Sequence, residues 1–257
     1  MLMTLLLAAA FAAAPPDVAK PVHDYIDANA KHSAEPLRRA FHPAASMYWV
    51  NDDGGIDART MADWRQRIVA PESHARWRQR LVGADRSGDA AVVAVTGTRD
   101  DAPVTDLLLL LRVDGHWRIV GKVFDHVPYP EHADAAGAAA IEAAVRAKFD
   151  ADRASDGARL LATQAERATF FNLDDGILVP ASAQEWAARY DQRRREDAVR
   201  RARAQRIDAA VAIGDIGYAR WTTTTSSGRD IVDYALLLRT ASGWRFVNTA
   251  FVVAPAP

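Results

Sequence analysis

The stretch DLLLLLRVDGHWRIVGKVF at residues 106–124 returns 127 residues later as DYALLLRTASGWRFVNTAF at 233–251. Nine of the nineteen aligned positions are identical, among them Asp106/Asp233, Arg112/Arg239, Trp117/Trp244 and Phe124/Phe251. Each copy reads as two strands joined by a tight turn, at VDG (113–115) and ASG (241–243). The run from Leu107 to Leu111 lacks the alternation of a strand that is wet on one side, so both of its faces are expected to be covered. One face should meet helices and the other the sister copy, making the chain an internal pseudo-dimer. In that arrangement Trp117 and Trp244 serve packing.

A repeat at this spacing means two whole domains, because solenoid units are only about 20–50 residues long. The correspondence extends backwards. MYWVNDDGGI (47–56) faces TFFNLDDGIL (169–178), aligning Tyr48-Trp49 with Phe170-Phe171. MADWRQRI (61–68) faces AQEWAARY (183–190) with Trp64 and Trp186 in register, and VHDYID (22–27) faces VRAKFD (145–150). Each copy predicts an amphipathic helix, at about 17–31 and 137–152, then a short helix ending near Arg39 or Glu166. An aromatic strand closed by Asp-Asp-Gly follows, then a helix from Thr60 or Ala183, then three or four long strands. Thr60 has the chemistry of an N-cap, with Asp63 three residues on. The boundaries read as a first domain over 15–128, a linker over 129–136 and a second domain over 137–257.

The chain is 49% apolar and 25% charged, the balance of a folded globular protein, and a net charge of −1 gives no global pull toward nucleic acid or anionic membrane. The basic run at 188–206 is interspersed with Asp191, Glu196 and Asp197 and carries no aromatic after Tyr190, so it reads as a solvated helix extension. The absence of cysteine excludes disulfides, thiolate zinc sites and cysteine nucleophiles. The run from Leu2 to Ala14 is too short to span a bilayer, which takes about 20 residues, and offers an A-x-A pattern at Ala10-Phe11-Ala12. Residues 1–14 are therefore read as a signal peptide, with a periplasmic or secreted mature protein and no membrane association after cleavage.

The order helix, helix, aromatic hairpin, helix and long antiparallel meander resembles the nuclear transport factor 2-like superfamily. LRRAFHPAASMYWVNDDGGIDARTMADWRQRI (37–68) with VTDLLLLLRVDGHWRIVGKVF (104–124) is similar to its putative lumazine-binding and SnoaL-like branch, where an Ala-Phe-His-Pro-like turn precedes the first strand. The second copy has ATQAERATF in place of AFHPAASMY and lacks that turn. The resemblance implies an α+β protein of two cone-shaped, cystatin-like domains, each a curved antiparallel sheet wrapped on about three helices. Its cavities would take a small apolar or amphipathic molecule. Function does not follow from that fold, which serves isomerases, dehydratases and cyclases as well as non-catalytic proteins.

Ketosteroid isomerase-like relatives place a carboxylate base on the first strand, and the positions matching it are Trp49 and Asn172. Neither accepts a proton, so the inner walls are expected to be apolar and the protein non-catalytic, binding a small molecule or a protein partner. The enzyme alternative is an isomerase or lyase acting on a small hydrophobic substrate in the first domain, with His23 or Asp106 beside Tyr25 or Tyr48. It rests on all seven histidines lying before residue 133. Asp106 and Asp233 read either as acid–base groups or as carboxylates paired with Arg112/Arg239 or Arg118/Arg245. Candidate ligand contacts are Tyr48, Trp49, Trp64, Phe171, Asn172 and Trp186. The histidine spacings match no metal-ligand pair on one helix face, and neither metal nor cofactor is expected.

Overall fold

In a computed structural model, residues 11–195, 204–225 and 227–253 are described. The first domain runs α1 (Pro16–Lys31), α2 (Ala34–Ala40), β1 (Phe41–Val50), β2 (Ile56–Thr60), α3 (Met61–Ile68), β3 (Trp77–Ser87), β4 (Ala90–Arg99), β5 (Ala102–Val113) and β6 (His116–Asp125). The second repeats it: α4 (Ala135–Ala154), α5 (Gly157–Thr163), β7 (Gln164–Asp174), β8 (Ile177–Ser182), α6 (Ala183–Arg195), β9 (Ala204–Ile213), β10 (Ile216–Thr224), β11 (Asp230–Thr240) and β12 (Gly243–Val253). The sheets have the same strand order, β2-β1-β6-β5-β4-β3 and β8-β7-β12-β11-β10-β9. Within each, only the pairing of the first strand with the last is parallel.

Local chemistry accounts for the punctuation. Thr60 caps α3 by accepting from the Asp63 N–H at 3.2 Å, and Asp134 caps α4 by accepting from that of Gly137 at 2.9 Å. The α4 helix therefore starts two residues before the expected 137, and α5 ends at Thr163 rather than near Glu166. The two Asp-Asp-Gly turns differ. Asp175-Gly176, both at positive φ, close a two-residue hairpin, whereas in the first copy the extra Gly55 opens the loop to residues 51–55. The Ala-Phe-His-Pro segment is not a turn before β1 but its irregular beginning. Phe41 pairs with Ile119 and Ser46 with Gly121, so the intervening residues bulge.

The leucine strand is buried on both sides. Leu108 and Leu110 pack with Val18, Val22 and Leu37 under the helices, while Leu107, Leu109 and Leu111 belong to a cluster shared with Leu236, Leu238 and Val247 of the second sheet. Trp117 and Trp244 are buried in the helix-side clusters, and Trp117 Nε1 donates to Asp17. In β6 and β12 alike a bulge falls at the same place, leaving Val120 and Val247 unpaired and turned into the shared core.

Residues 1–10, and with them most of the apolar N-terminal run, lie outside the described residues, as does 196–203 of the basic run. Phe11 is buried against Tyr218 with ring centroids 5.3 Å apart, and Ala12 makes a two-bond bridge with Ala84. Among the described residues no helix is long and apolar enough to cross a membrane.

Candidate functional site

Each domain holds a polar centre between its first helix and its sheet. In the first, α1 supplies Tyr25 and Asn29, β3 Gln79, β5 Asp106 and β6 Lys122. Asp106 is fully buried; its Oδ2 accepts from Tyr25 Oη and Gln79 Nε2, both at 2.8 Å, and its Oδ1 pairs with Lys122 Nζ at 2.7 Å. Asn29 donates to Gln79 Oε1 at 2.8 Å and orients that amide. Burial lowers the Lys122 pKa against the pull of Asp106, and burial with the neighbouring carboxylate holds the Tyr25 phenol well above its ordinary value. The Lys122 ammonium also lies 4.3 Å from the Phe124 ring centroid. The expected apolar lining is thus corrected: a carboxylate sits in the first interior. Its partner is Lys122, not an arginine. Arg112 pairs with Asp89 and Arg239 with Asp215, while Arg118 and Arg245 donate to the carbonyls of Arg39 and Ala162.

Strand register equates Gln79, Asp106 and Lys122 with Gln205, Asp233 and Thr249 of the second domain, and the alignment of α1 with α4 equates Tyr25 and Asn29 with Lys148 and Asp152. The lysine has moved from strand to helix: Lys148 takes the place of Tyr25, and Thr249 that of Lys122. Gln205 Nε2 donates to Asp152 Oδ2 at 3.2 Å. Here the centre borders a pocket of about 130 Å³, into which Lys148, Asp152, Gln205 and Asp233 present one polar edge. Phe170 and Trp186, stacked 5.2 Å apart at 10°, line it too, with Phe251, Trp221 and Tyr190 as further aromatic walls. Lys148 Nζ lies 5.0 Å from the Trp221 ring centroid.

Side-chain size at equivalent positions explains the difference between the two mouths. In the first domain Trp49 stacks on Phe124 at 5.7 Å, and the Arg59 guanidinium lies 5.0 Å from Trp49 and 5.9 Å from Trp64. The corresponding residues of the second domain are Asn172 and Ala181, which leave space where the first is crowded.

The sequence-predicted residues are thereby dispersed. Tyr25 and Asp106 meet; His23 is exposed on α1 and joins no centre. Trp186 lines the second pocket, and Trp49 and Trp64 close the first mouth. Tyr48 and Phe171 point the other way, into the core between the sheets, where Tyr48 Oη donates to the Arg167 carbonyl at 2.6 Å. Asn172 is half-buried on the opposite face of β7 from Phe171, the face that also carries Phe170. The aromatic that faces the second pocket is Phe170. The ungapped alignment of Tyr48 with Phe170 was one residue out: pairing with β6 and β12 equates Tyr48 with Phe171, and a single-residue slip exchanges the faces of a strand.

Between the sheets a third polar group is buried. Asp85 of β3 pairs with Arg220 Nη1 at 2.7 Å and accepts from Tyr218 and Tyr234 at 3.1 and 3.3 Å. Burial raises the Asp85 pKa, and burial beside Asp85 raises those of both phenols. Tyr25, Tyr218 and Tyr234 should therefore ionise only at higher pH than the tyrosines of an unfolded chain, which titrate near pKa 10. The folded state then holds more protons than the unfolded one, so stability falls as pH rises above about 10. Absorbance titration checks this; three phenols ionising near pH 10 without unfolding would contradict it.

The model of the family described as "Putative lumazine-binding" matches residues 14–125 and again 136–252. Solved structures are similar over one copy at a time. An NTF2-like protein of unknown function from Shewanella baltica OS155 is 19% identical, covers 44% of this chain and 93% of its own, and has a TM-score of 0.40. A domain of unknown function with a cystatin-like fold from Nostoc punctiforme PCC 73102 is 18% identical, with 48% and 80% covered and a TM-score of 0.41. A ketosteroid isomerase-like protein from Erwinia carotovora atroseptica SCRI1043 is 20% identical, with 46% and 97% covered and a TM-score of 0.37. No curated protein matches. With the family pattern matched twice and the helix-and-sheet order repeated, the chain belongs to the putative lumazine-binding family and consists of two tandem α+β domains.

Proposed function

We propose that the protein is a non-catalytic binding protein, exported to the periplasm or medium, that takes a small amphipathic molecule with a flat ring in the pocket of its second domain. The observation that carries this reading is the pairing of the Phe170/Trp186 stack with the polar edge of Lys148, Asp152, Gln205 and Asp233. Aromatic plates suit a ring face, and fixed donors and acceptors suit the hydrogen-bonding rim of a heterocycle. At about 130 Å³ the pocket is smaller than the roughly 300–1,000 Å³ of drug-sized sites, so it holds a small molecule or one ring of a larger one. Of the apolar and amphipathic molecules expected from the sequence, this aromatic and polar mixture favours the amphipathic.

Isomerase or lyase chemistry in the first domain is the weaker reading. A general base has to reach substrate with a free lone pair, and Asp106 is enclosed by Tyr25, Gln79 and Lys122. Trp49 and Asn172 hold the strand positions where the isomerase-like relatives carry their carboxylate.

The family description makes lumazine the first probe, beside a panel of flat heterocycles. Titration followed by tryptophan fluorescence and native mass spectrometry should show saturable binding by at least one of them. Trp186→Ala should weaken it at least tenfold, by loss of a stacking partner worth about 0.5–1.5 kcal/mol and of the apolar area of the pocket wall. Binding that survives Trp186→Ala unchanged places the ligand elsewhere; no binding by any probe overturns the reading. Export is checked separately by N-terminal sequencing of the protein from cell fractions.

A further inference from the structure

The face that each domain turns toward the other is built from equivalent positions with unlike chemistry. Register equates Gly121 of β6 with Asn248 of β12, since Gly121 pairs with Leu109 and Ser46, and Asn248 with Leu236 and Thr169. These two equivalent residues meet each other, which places them at the approximate two-fold axis relating the copies. A Cβ on Gly121 would lie 2.4 Å from Asn248 Oδ1 and 2.7 Å from its Cγ. Asn248 crosses into the space left by the glycine, and its Nδ2 donates to Ser46 Oγ of the first copy at 3.2 Å.

Away from the axis, the Asp85 cluster occupies one corner only. The positions equivalent to Asp85, Tyr218, Arg220 and Tyr234 are Val211, Val92, Ala94 and Leu107, all apolar and all in the shared core. One corner is therefore ionic and hydrogen-bonded, and its symmetry mate is hydrocarbon.

We propose that this asymmetry is a pairing code: Asp85 against Arg220 and Gly121 against Asn248 make the inner face of each copy fit the other copy and reject its own kind. Pairing two first copies would set two Asp85 carboxylates against Val92, Ala94 and Leu107 with no cation, around a void at paired glycines. Pairing two second copies would bury two Arg220 guanidinium groups against Val211 and drive two Asn248 side chains into one space. Uncompensated buried charge and steric overlap are the repulsive elements from which specificity is built. The code restricts the large apolar inner faces to partners within one chain, and so prevents open-ended assembly between chains.

The test removes the difference without removing the apolar surface. Asp85→Val, Tyr218→Val, Arg220→Ala, Tyr234→Leu and Asn248→Gly together give both copies the residues of the hydrocarbon corner and of the hole. Full-length wild type, unfolded in denaturant and refolded, is expected to return as monomer by light scattering. The five-fold variant, refolded at the same concentration, should show at least a fivefold larger fraction of dimers and higher species. A variant that returns with the monomer fraction of wild type, or a wild type that itself pairs between chains, overturns the proposal. Should the variant not fold, a two-residue cycle decides. Gly121→Ala should lower the thermal midpoint by several degrees, and adding Asn248→Ala should restore more than half of the loss; no restoration overturns the proposal equally.

Discussion

Replacing Lys122 with methionine is expected to lower the unfolding free energy by about 3–5 kcal/mol, because it strands a buried carboxylate without its cation. Asp106 would keep Tyr25 and Gln79 as donors, but two neutral hydrogen bonds do not offset the removal of a charge from water. The second copy suggests the rescue. It places threonine where Lys122 stands and lysine where Tyr25 stands, so Tyr25→Lys added to Lys122→Thr should recover much of the stability lost in Lys122→Thr alone. Urea unfolding followed by circular dichroism measures all three. A loss below about 1 kcal/mol for Lys122→Met would show that Asp106 does not depend on the ammonium.

Trp221→Ala is expected to have an effect of similar size with a second consequence. The indole is buried, edge-on to Phe149 at 6.1 Å and to Phe246 at 6.2 Å, in the core between α4 and the second sheet. Truncating a buried tryptophan costs about 3–5 kcal/mol through lost contacts and the cavity left behind. The same ring forms a wall of the pocket and lies against Lys148, so ligand affinity should fall even at temperatures where the variant is fully folded. Trp221→Phe should retain most of the stability and lose part of the affinity. Binding unchanged in a folded Trp221→Ala protein would remove this wall from the site.

Much of the architecture could be read from local pattern. The repeated leucine strand, the Asp-Gly turns and the Thr60 cap depend on neighbours a few residues away, which one chain displays directly. Register is harder. The slip that aligned Tyr48 with Phe170 could be found only from the pairing of β1 with β6 and β7 with β12, between strands far apart in sequence. The match of Trp49 and Asn172 to one strand position agrees with the sheets, whereas the ungapped alignment does not.

The candidate site was less legible for a related reason. The histidines concentrate in the first copy, yet His23, His116 and His126 are exposed, while the aromatic pocket lies in the copy that has none. Lys122 and Lys148 occupy different positions in the repeat, so no alignment of the copies shows that both serve the same polar centre. Only the meeting of helix and strand in space does so.

From residues alone came the duplication, the order of helices and strands and the double burial of Leu107–Leu111. These follow from periodicity and turn chemistry, which act over short stretches of chain. Tertiary structure alone decided which carboxylate has which cation, which mouth is filled and which open, and how Asn248 fits against Gly121. Each is a contact between residues distant in sequence, where side-chain volume and burial, rather than pattern, determine the energy.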